Sequence, residues 1–148
     1  MKRRAVLAGL LAVTPGCVSP LGADSDGDGT PDGDDAAPHD PRASDWVGGD
    51  PGPQVEIDRI DSADDSTMTI RVVHAGGQPF TPDNTRRLEL ANRGEPLATI
   101  ALPFEVGDAR TKRVPVVGHV TALWFPPASS SVESPLVVST TGNLGRTD

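Results

Sequence analysis

The stretch Thr67-Met68-Thr69-Ile70-Arg71-Val72-Val73 decides the fold class. Met68, Ile70 and Val72 alternate with Thr67, Thr69 and Arg71, which is the two-residue period of a strand with one face in a core. Upstream, 55–60 is another branched-apolar run, and the polar residues 61–66 between the two suit a hairpin. Downstream the texture repeats. Residues 87–91 and 97–102 flank Asn92-Arg93-Gly94-Glu95, a second hairpin in which Leu88 and Leu90 face Leu97 or Ala98, Ile100 and Leu102. Phe104–Asp108 leads to a strand at 113–117. The run 120–125 is the most apolar and is expected to be a central strand, 126–131 loops, and 135–140 gives the last strand. Seven or eight short strands without a helical period predict an all-β domain over 54–148, an antiparallel β-sandwich of the Ig-like kind.

Composition agrees. Sixteen glycines and 15 prolines in 148 residues favour turns over long helices, and aromatics make only 3% of the chain. The core must therefore rest on Val, Leu and Ile, with Trp46, Trp124 and three Phe as anchors. With Cys17 as the one cysteine, no intramolecular disulfide can form.

Charge is placed unevenly. Residues 18–65 carry 14 acids against two bases, Arg42 and Arg59, whereas 66–148 carry 7 acids and 8 bases. No basic footprint for nucleic acid exists, so no nucleic-acid partner is expected. Within the acidic part lies Asp24-Ser25-Asp26-Gly27-Asp28-Gly29-Thr30-Pro31-Asp32-Gly33-Asp34-Asp35. Carboxylates stand at loop positions 1, 3, 5, 9 and 12 with glycine at position 6, the ligand order of an EF-hand-type calcium loop. Ca²⁺ takes roughly 6–8 oxygens at about 2.3–2.6 Å, so a short loop must turn sharply, and Gly29 permits that turn. Asp24, Asp26 and Asp28 would give side-chain oxygens and Thr30 its carbonyl. Asp32 would give an oxygen directly or through water, and Asp35 would close the shell.

The remainder of 17–53 is poor in branched apolar residues and rich in Asp, Gly, Pro and Ala, the composition of a largely disordered linker. Before it, 1–16 reads as a signal peptide: Lys2-Arg3-Arg4 is a basic start, and 5–13 is an apolar run too short to span a bilayer.

Four resemblances follow from these motifs. Arg3-Arg4 before Ala5-Val6-Leu7 resembles a twin-arginine export signal, although the usual Ser or Thr before the pair and Phe after it are missing. Thr14-Pro15-Gly16-Cys17 resembles a lipobox, which implies lipidation of Cys17 as the first mature residue and membrane attachment through lipid. The Asp-x-Asp-x-Asp-Gly-x-x-Asp-x-x-Asp run, followed by Pro38 and Asp40-Pro41, resembles a thrombospondin type 3 repeat. Such repeats wrap calcium without flanking helices; here Ala37 stands where the repeat often has Cys, and a single repeat is present. His74-x-Gly76-Gly77, Leu88-x-Leu90, Phe104-x-x-Gly107-Asp108, Leu123-Trp124 and Ser134-x-Leu136 are similar to the C-terminal β-domain of archaeal type IV pilins over about 67–141. The long apolar helix that builds pilin filaments is not matched. The preference for Asp over Glu and Arg over Lys also resembles secreted proteins of salt-loving archaea.

No catalytic constellation emerges. His39, His74 and His119 are scattered without HExxH or HxH spacing, and Ser129-Ser130-Ser131 lies outside a G-x-S-x-G elbow. His74, before Gly76-Gly77, reads as a turn residue. The expected function is a non-catalytic, lipid-anchored calcium-binding protein on the outer side of the cell membrane, carrying a β-sandwich head. A filament or adhesion subunit, or an accessory binding domain for sugar or a secreted enzyme that would need an exposed Trp124, are the other readings, and a cell-surface protein or glycan is the partner class expected.

Overall fold

A computed structural model of the chain describes residues 22–49, 52–61, 66–142 and 144. The expected signal at 1–16, with Arg3 and Arg4, and the expected lipidation site Cys17 lie outside the described residues. Seven strands are present: β1 (Gln54–Asp61), β2 (Thr67–Gly76), β3 (Arg87–Asn92), β4 (Glu95–Ile100), β5 (Ala109–Pro115), β6 (His119–Phe125) and β7 (Leu136–Gly142). All pair antiparallel, in a three-stranded sheet β1-β2-β5 and a four-stranded sheet β4-β3-β6-β7. The chain crosses between sheets after β2, β4 and β5, so the expected β-sandwich is what forms. Among the described residues there is no helix, and none therefore that is long and apolar enough to cross a membrane.

The alternation in β2 sets the inner face. Met68, Ile70 and Val72 are fully buried, and His74 continues the same face. Around them one cluster gathers Val55 and Ile57 of β1, Leu88 and Leu90 of β3, and Ile100 of β4. Val114 of β5, Val120 and Ala122 of β6, and Val138 of β7 complete it. Each large side chain so buried contributes about 1.5–3 kcal/mol. The β3–β4 hairpin pairs Leu88 with Ile100 and Leu90 with Ala98. Its two-residue turn places Arg93 at φ 49° and Gly94 at φ 85°, the left-handed pair whose twist matches the flanking strands.

Three elements differ from expectation. Strand β5 begins four residues earlier than its apolar content suggests, because Val73–Ala109 to Thr67–Pro115 pairing with β2 extends through Arg110, Lys112 and Arg113. As a sheet edge it carries three cations, Arg110, Lys112 and Arg113, which discourage pairing with other chains. His74 is a strand residue in the core, not a turn residue. Its Nε2 lies 2.9 Å from the Gln78 carbonyl, and its ring packs against both Phe80 and Phe104.

The third difference concerns the acidic segment. The central strands β3 and β6 of the four-stranded sheet are buried on both faces: Leu88 and Leu90 point inward, while Glu89 and Ala91, their neighbours on β3, are buried on the outside. That outer face packs Ala91, Leu123, Phe125 and Val137 against Ala36, Ala37 and Ala43. In place of a free linker, the described part of 22–49 therefore forms a third layer over the sandwich. Alanine is the reason this is possible: its small side chain lets the segment's backbone lie close to the sheet. The segment also satisfies its own backbone groups, with Ala36 N–H donating to Ser44 O at 2.9 Å and Asp40 N–H to Ala37 O at 2.8 Å. It then runs alongside β7 as a parallel bridge. Val137 N–H donates to Asp45 O and Val47 N–H to Val137 O, both at 2.8 Å, which occupies groups on the β7 edge.

A charged clasp holds the layer down. Arg42 Nε and Nη2 donate to the two oxygens of Asp40 at 2.9 Å each, and Nη1 donates to Glu89 Oε1 at 2.8 Å. Asp40 and Glu89 are almost wholly buried, and Glu89 has a second partner in Arg87 at 3.1 Å. Arg87 in turn lies over the Phe125 ring, 3.9 Å from its centre.

Candidate metal site

The loop at 24–35 is shaped by its own aspartates. Asp24 accepts from Gly27 N–H at 2.7 Å and Gly29 N–H at 3.1 Å. Asp26, Asp28 and Asp35 each cap the residue two positions on: Asp28 N–H, Thr30 N–H and Ala37 N–H donate to their Oδ1 atoms. This side-chain turn is what aspartate does readily, and it uses one oxygen of each carboxylate. Gly29 adopts φ 99°, the left-handed backbone its position in the loop calls for.

The carboxylates converge. Ligand atoms of Asp24, Asp26 and Asp28 all lie within 4.8 Å of one another. Two oxygens on one Ca²⁺ at about 2.4 Å can stand no more than about 5 Å apart, so this spacing fits a single ion. Asp26 Oδ2 and Asp35 Oδ2 are shielded from solvent and have no hydrogen-bond donor. Desolvation raises the Asp26 carboxyl above its ordinary 3.8, and the charges of Asp28 and Asp24 add to this. Asp35 is raised likewise, by desolvation first and then by the charges of Asp26, Asp28 and Asp32. Asp35 thus stands in the field of the same cluster. A hard divalent cation would satisfy these oxygens and relieve their mutual repulsion.

Of the six residues the spacing singles out, the structure gathers Asp24, Asp26 and Asp28 and brings Asp35 to their side. Asp32 turns elsewhere. Its oxygens accept from Ser25 N–H and Ser25 Oγ, both at 2.7 Å, while its own N–H donates to Ala23 O. The Ser25 hydroxyl and N–H hold the Asp32 carboxyl below its ordinary value, so it stays ionised as a brace across the loop. Thr30 is fixed in the loop through its N–H to Asp28. Ser25 was not singled out by the ligand pattern, although a serine next to the first aspartate, seven residues before another, could have signalled such a brace.

The histidines are not all dispersed. His39 of the acidic layer and His119 at the start of β6 come together, ring centres 6.2 Å apart. Trp124 packs partly into the core, donates from Nε1 to Thr85 Oγ1 at 3.0 Å, and lines a cleft of about 220 Å³ with Pro79, Phe80 and Leu136.

No known protein family matches the chain, and neither a curated protein nor a solved structure gives a significant match.

Proposed function

We propose that this is an exported, non-catalytic surface protein, attached to the outer side of the cell membrane through lipid at Cys17, in which one Ca²⁺ clasps an acidic layer onto a β-sandwich head. The observation that carries the calcium reading is the pair of shielded, donor-less oxygens, Asp26 Oδ2 and Asp35 Oδ2, beside the Asp24–Asp26–Asp28 cluster. Asp24, Asp26, Asp28 and Asp35 would hold the ion, with the Thr30 carbonyl and water completing its shell as the loop pattern implies. Asp32 would keep the loop closed from outside the shell.

The consequence for the molecule follows from connectivity. Asp35 Oδ1 is bonded to Ala37 N–H, and Ala36 and Ala37 are plugs of the outer cluster. Fixing Asp35 therefore fixes the edge of the docked layer. Extracellular modules bind Ca²⁺ at about 10⁻⁴–10⁻³ M, which suits a permanently filled structural site. At a hundredfold excess over Kd the ion would add about 2.7 kcal/mol of stability.

Calorimetric titration of the full chain is expected to show one Ca²⁺ site that disappears in Asp24→Asn/Asp28→Asn. Unchanged heat in that variant would sink the calcium reading. The anchor is tested separately by the intact mass of membrane-extracted protein, where a mature chain starting at an unmodified Cys17, or an uncleaved chain, would remove it. A glycan-binding reading draws on the Trp124 cleft, and predicts tryptophan fluorescence quenching by oligosaccharides that is lost in Trp124→Phe.

A further inference from the structure

The acidic layer and the sandwich share one more cluster. Beside Asp40 lies a recess of about 190 Å³ lined by His39, Asp40, Arg93, His119, Thr121 and Thr140. It is smaller than the clefts of about 300–1,000 Å³ that take drug-sized ligands, so it suits a small group. The layer brings His39, the β3–β4 turn brings Arg93, and β6 and β7 bring His119 and the two threonines. The turn rests on the layer: a Cβ on Gly94 would lie 3.4 Å from Pro41 Cδ and 3.6 Å from Asp40 Oδ1. The backbone that carries Arg93 is thereby held in place.

We infer that this recess binds a tetrahedral oxyanion, a sulfate or phosphate group. The lining is rich in donors. Its one carboxylate, Asp40, is taken, since both oxygens accept from Arg42. Arg93 forms no ion pair among the described residues. The imidazoles of His39 and His119 meet edge-on, ring centres 6.2 Å apart, and each carries at least one N–H. The Thr121 and Thr140 hydroxyls are 3.4 Å apart, so when one donates to the other, the second keeps its O–H for a ligand. A guanidinium fork donates in pairs to oxyanions. Two bonds from Arg93, one from each imidazole and one from the threonines make about five donors. A carboxylate has two oxygens with about four acceptor sites, whereas a sulfate or phosphate ester presents three terminal oxygens and takes up more of the set.

The acidity of the segment opposes an anion in sum but not at this spot. Asp40 and Glu89 are balanced by Arg42 and Arg87. His39 also acts on Asp32, whose oxygens already accept from Ser25. The aspartates of the loop do not line the recess, and salt screens exposed charges beyond about 8 Å at physiological strength. Arg93 is left as the uncompensated charge of the lining. Because His39 comes from the layer and Arg93 and His119 from the sandwich, a bound oxyanion would tie the layer to the sheet. This inference does not rest on the calcium reading.

The test is titration of inorganic sulfate into the full chain, followed by amide chemical shifts. Saturable shifts are expected at His39, Arg93, His119 and Thr121, and not across the β1-β2-β5 sheet. Arg93→Gln should weaken binding by about tenfold to a hundredfold, the loss of charge-assisted bonds. His39→Gln and His119→Gln should each weaken it by about two- to tenfold, the scale of a single hydrogen bond. Arg71→Gln removes the same charge from the other sheet, where it stands 3.9 Å from Asp58, and should bind as the parent does. Sulfate stabilises proteins generally by exclusion, so the thermal readout is the rise of the parent's midpoint beyond that of Arg93→Gln. All four side chains are exposed, so without sulfate the variants should unfold at the parent's temperature. Glucose 6-sulfate separates the sources: tighter binding than inorganic sulfate assigns the site to the ester end of a larger molecule, and equal binding to the free ion. Absence of saturable shifts at the recess overturns the inference. So does equal weakening in Arg71→Gln and Arg93→Gln, or parent affinity in Arg93→Gln and both histidine variants.

Discussion

Arg42→Ala isolates what holds the acidic layer to the sandwich. The substitution removes three side-chain donors and leaves two carboxylates whose side chains are only 2% and 5% exposed. Losing one partner of a buried ion pair costs about 3–5 kcal/mol. Here three features reduce that figure. Arg42 is itself 29% exposed, Glu89 keeps Arg87 at 3.1 Å, and Asp40 keeps the residue-42 backbone N–H at 3.1 Å. We expect about 2–3 kcal/mol, which for a domain of this size lowers the thermal midpoint by about 10–20 °C. Arg42→Lys should fall between, because an ammonium cannot reproduce the forked donation to Asp40. Hydrogen exchange gives the location. The Ala36 and Ala43 amides, bonded within the layer, should lose protection before those of β6. Neutralising both acceptors in Arg42→Ala/Asp40→Asn/Glu89→Gln should recover part of the loss. A change below about 0.5 kcal/mol in Arg42→Ala, the scale of an ordinary surface substitution, would refute the clasp.

Leu123→Ala, in the outer cluster, should cost about 2–5 kcal/mol, as in an inner core, if the layer is truly packed; denaturant unfolding of the variant checks this, and a cost near zero would mean the face is open. Gly29→Ala meets no neighbour but must hold φ 99°, so it should weaken calcium binding by about 1–2 kcal/mol while the sandwich unfolds unchanged, read by calorimetry and circular dichroism together. For pH, the metal-free folded chain holds Asp26 and Asp35 above the ordinary 3.8, so it takes up protons more readily than the unfolded chain there. Their contribution is therefore favourable below 3.8 and is lost as pH rises through the raised values. Asp32, held low by Ser25, acts oppositely: its contribution is present above 3.8 and is lost as pH falls through its lowered value. With calcium the first effect reverses, since protons compete with the ion, and affinity should fall as pH drops through the window just above 3.8. Unfolding measured with chelator and with calcium across that window separates the two signs.

The sandwich was legible because its signals are local. Alternation at Met68, Ile70 and Val72 names a buried face, and Asn92-Arg93-Gly94-Glu95 names a turn, within a few residues of chain. The acidic cluster was legible for the same reason as far as Asp24, Asp26 and Asp28 go. Asp32 fits the ligand spacing equally well, but spacing cannot show that Ser25 would bond both its oxygens. The docked layer was harder to see. Its evidence is split between a non-alternating pattern in β3 and β6, which says that both faces are covered, and three alanines in a stretch whose composition is that of a linker. Neither half identifies the other. The meeting of His39 with His119 depends wholly on that docking and is invisible until the layer is in place.

The order of these parts along the chain also has a mechanical meaning. Tension drawn through residue 22 reaches the aspartate loop before the alanine plugs, the Arg42 clasp or the Asp45–Val137 bridge. The loop's brace, Ser25 to Asp32, is short-range and exposed, whereas the bonds behind it are backed by a packed cluster. The loop would therefore open first, releasing about 40 Å of chain from its 12 residues at roughly 3.3–3.6 Å each. It would act as an extensible fuse, lengthening under load while the head keeps its fold, with its yield point raised by any cation that it binds.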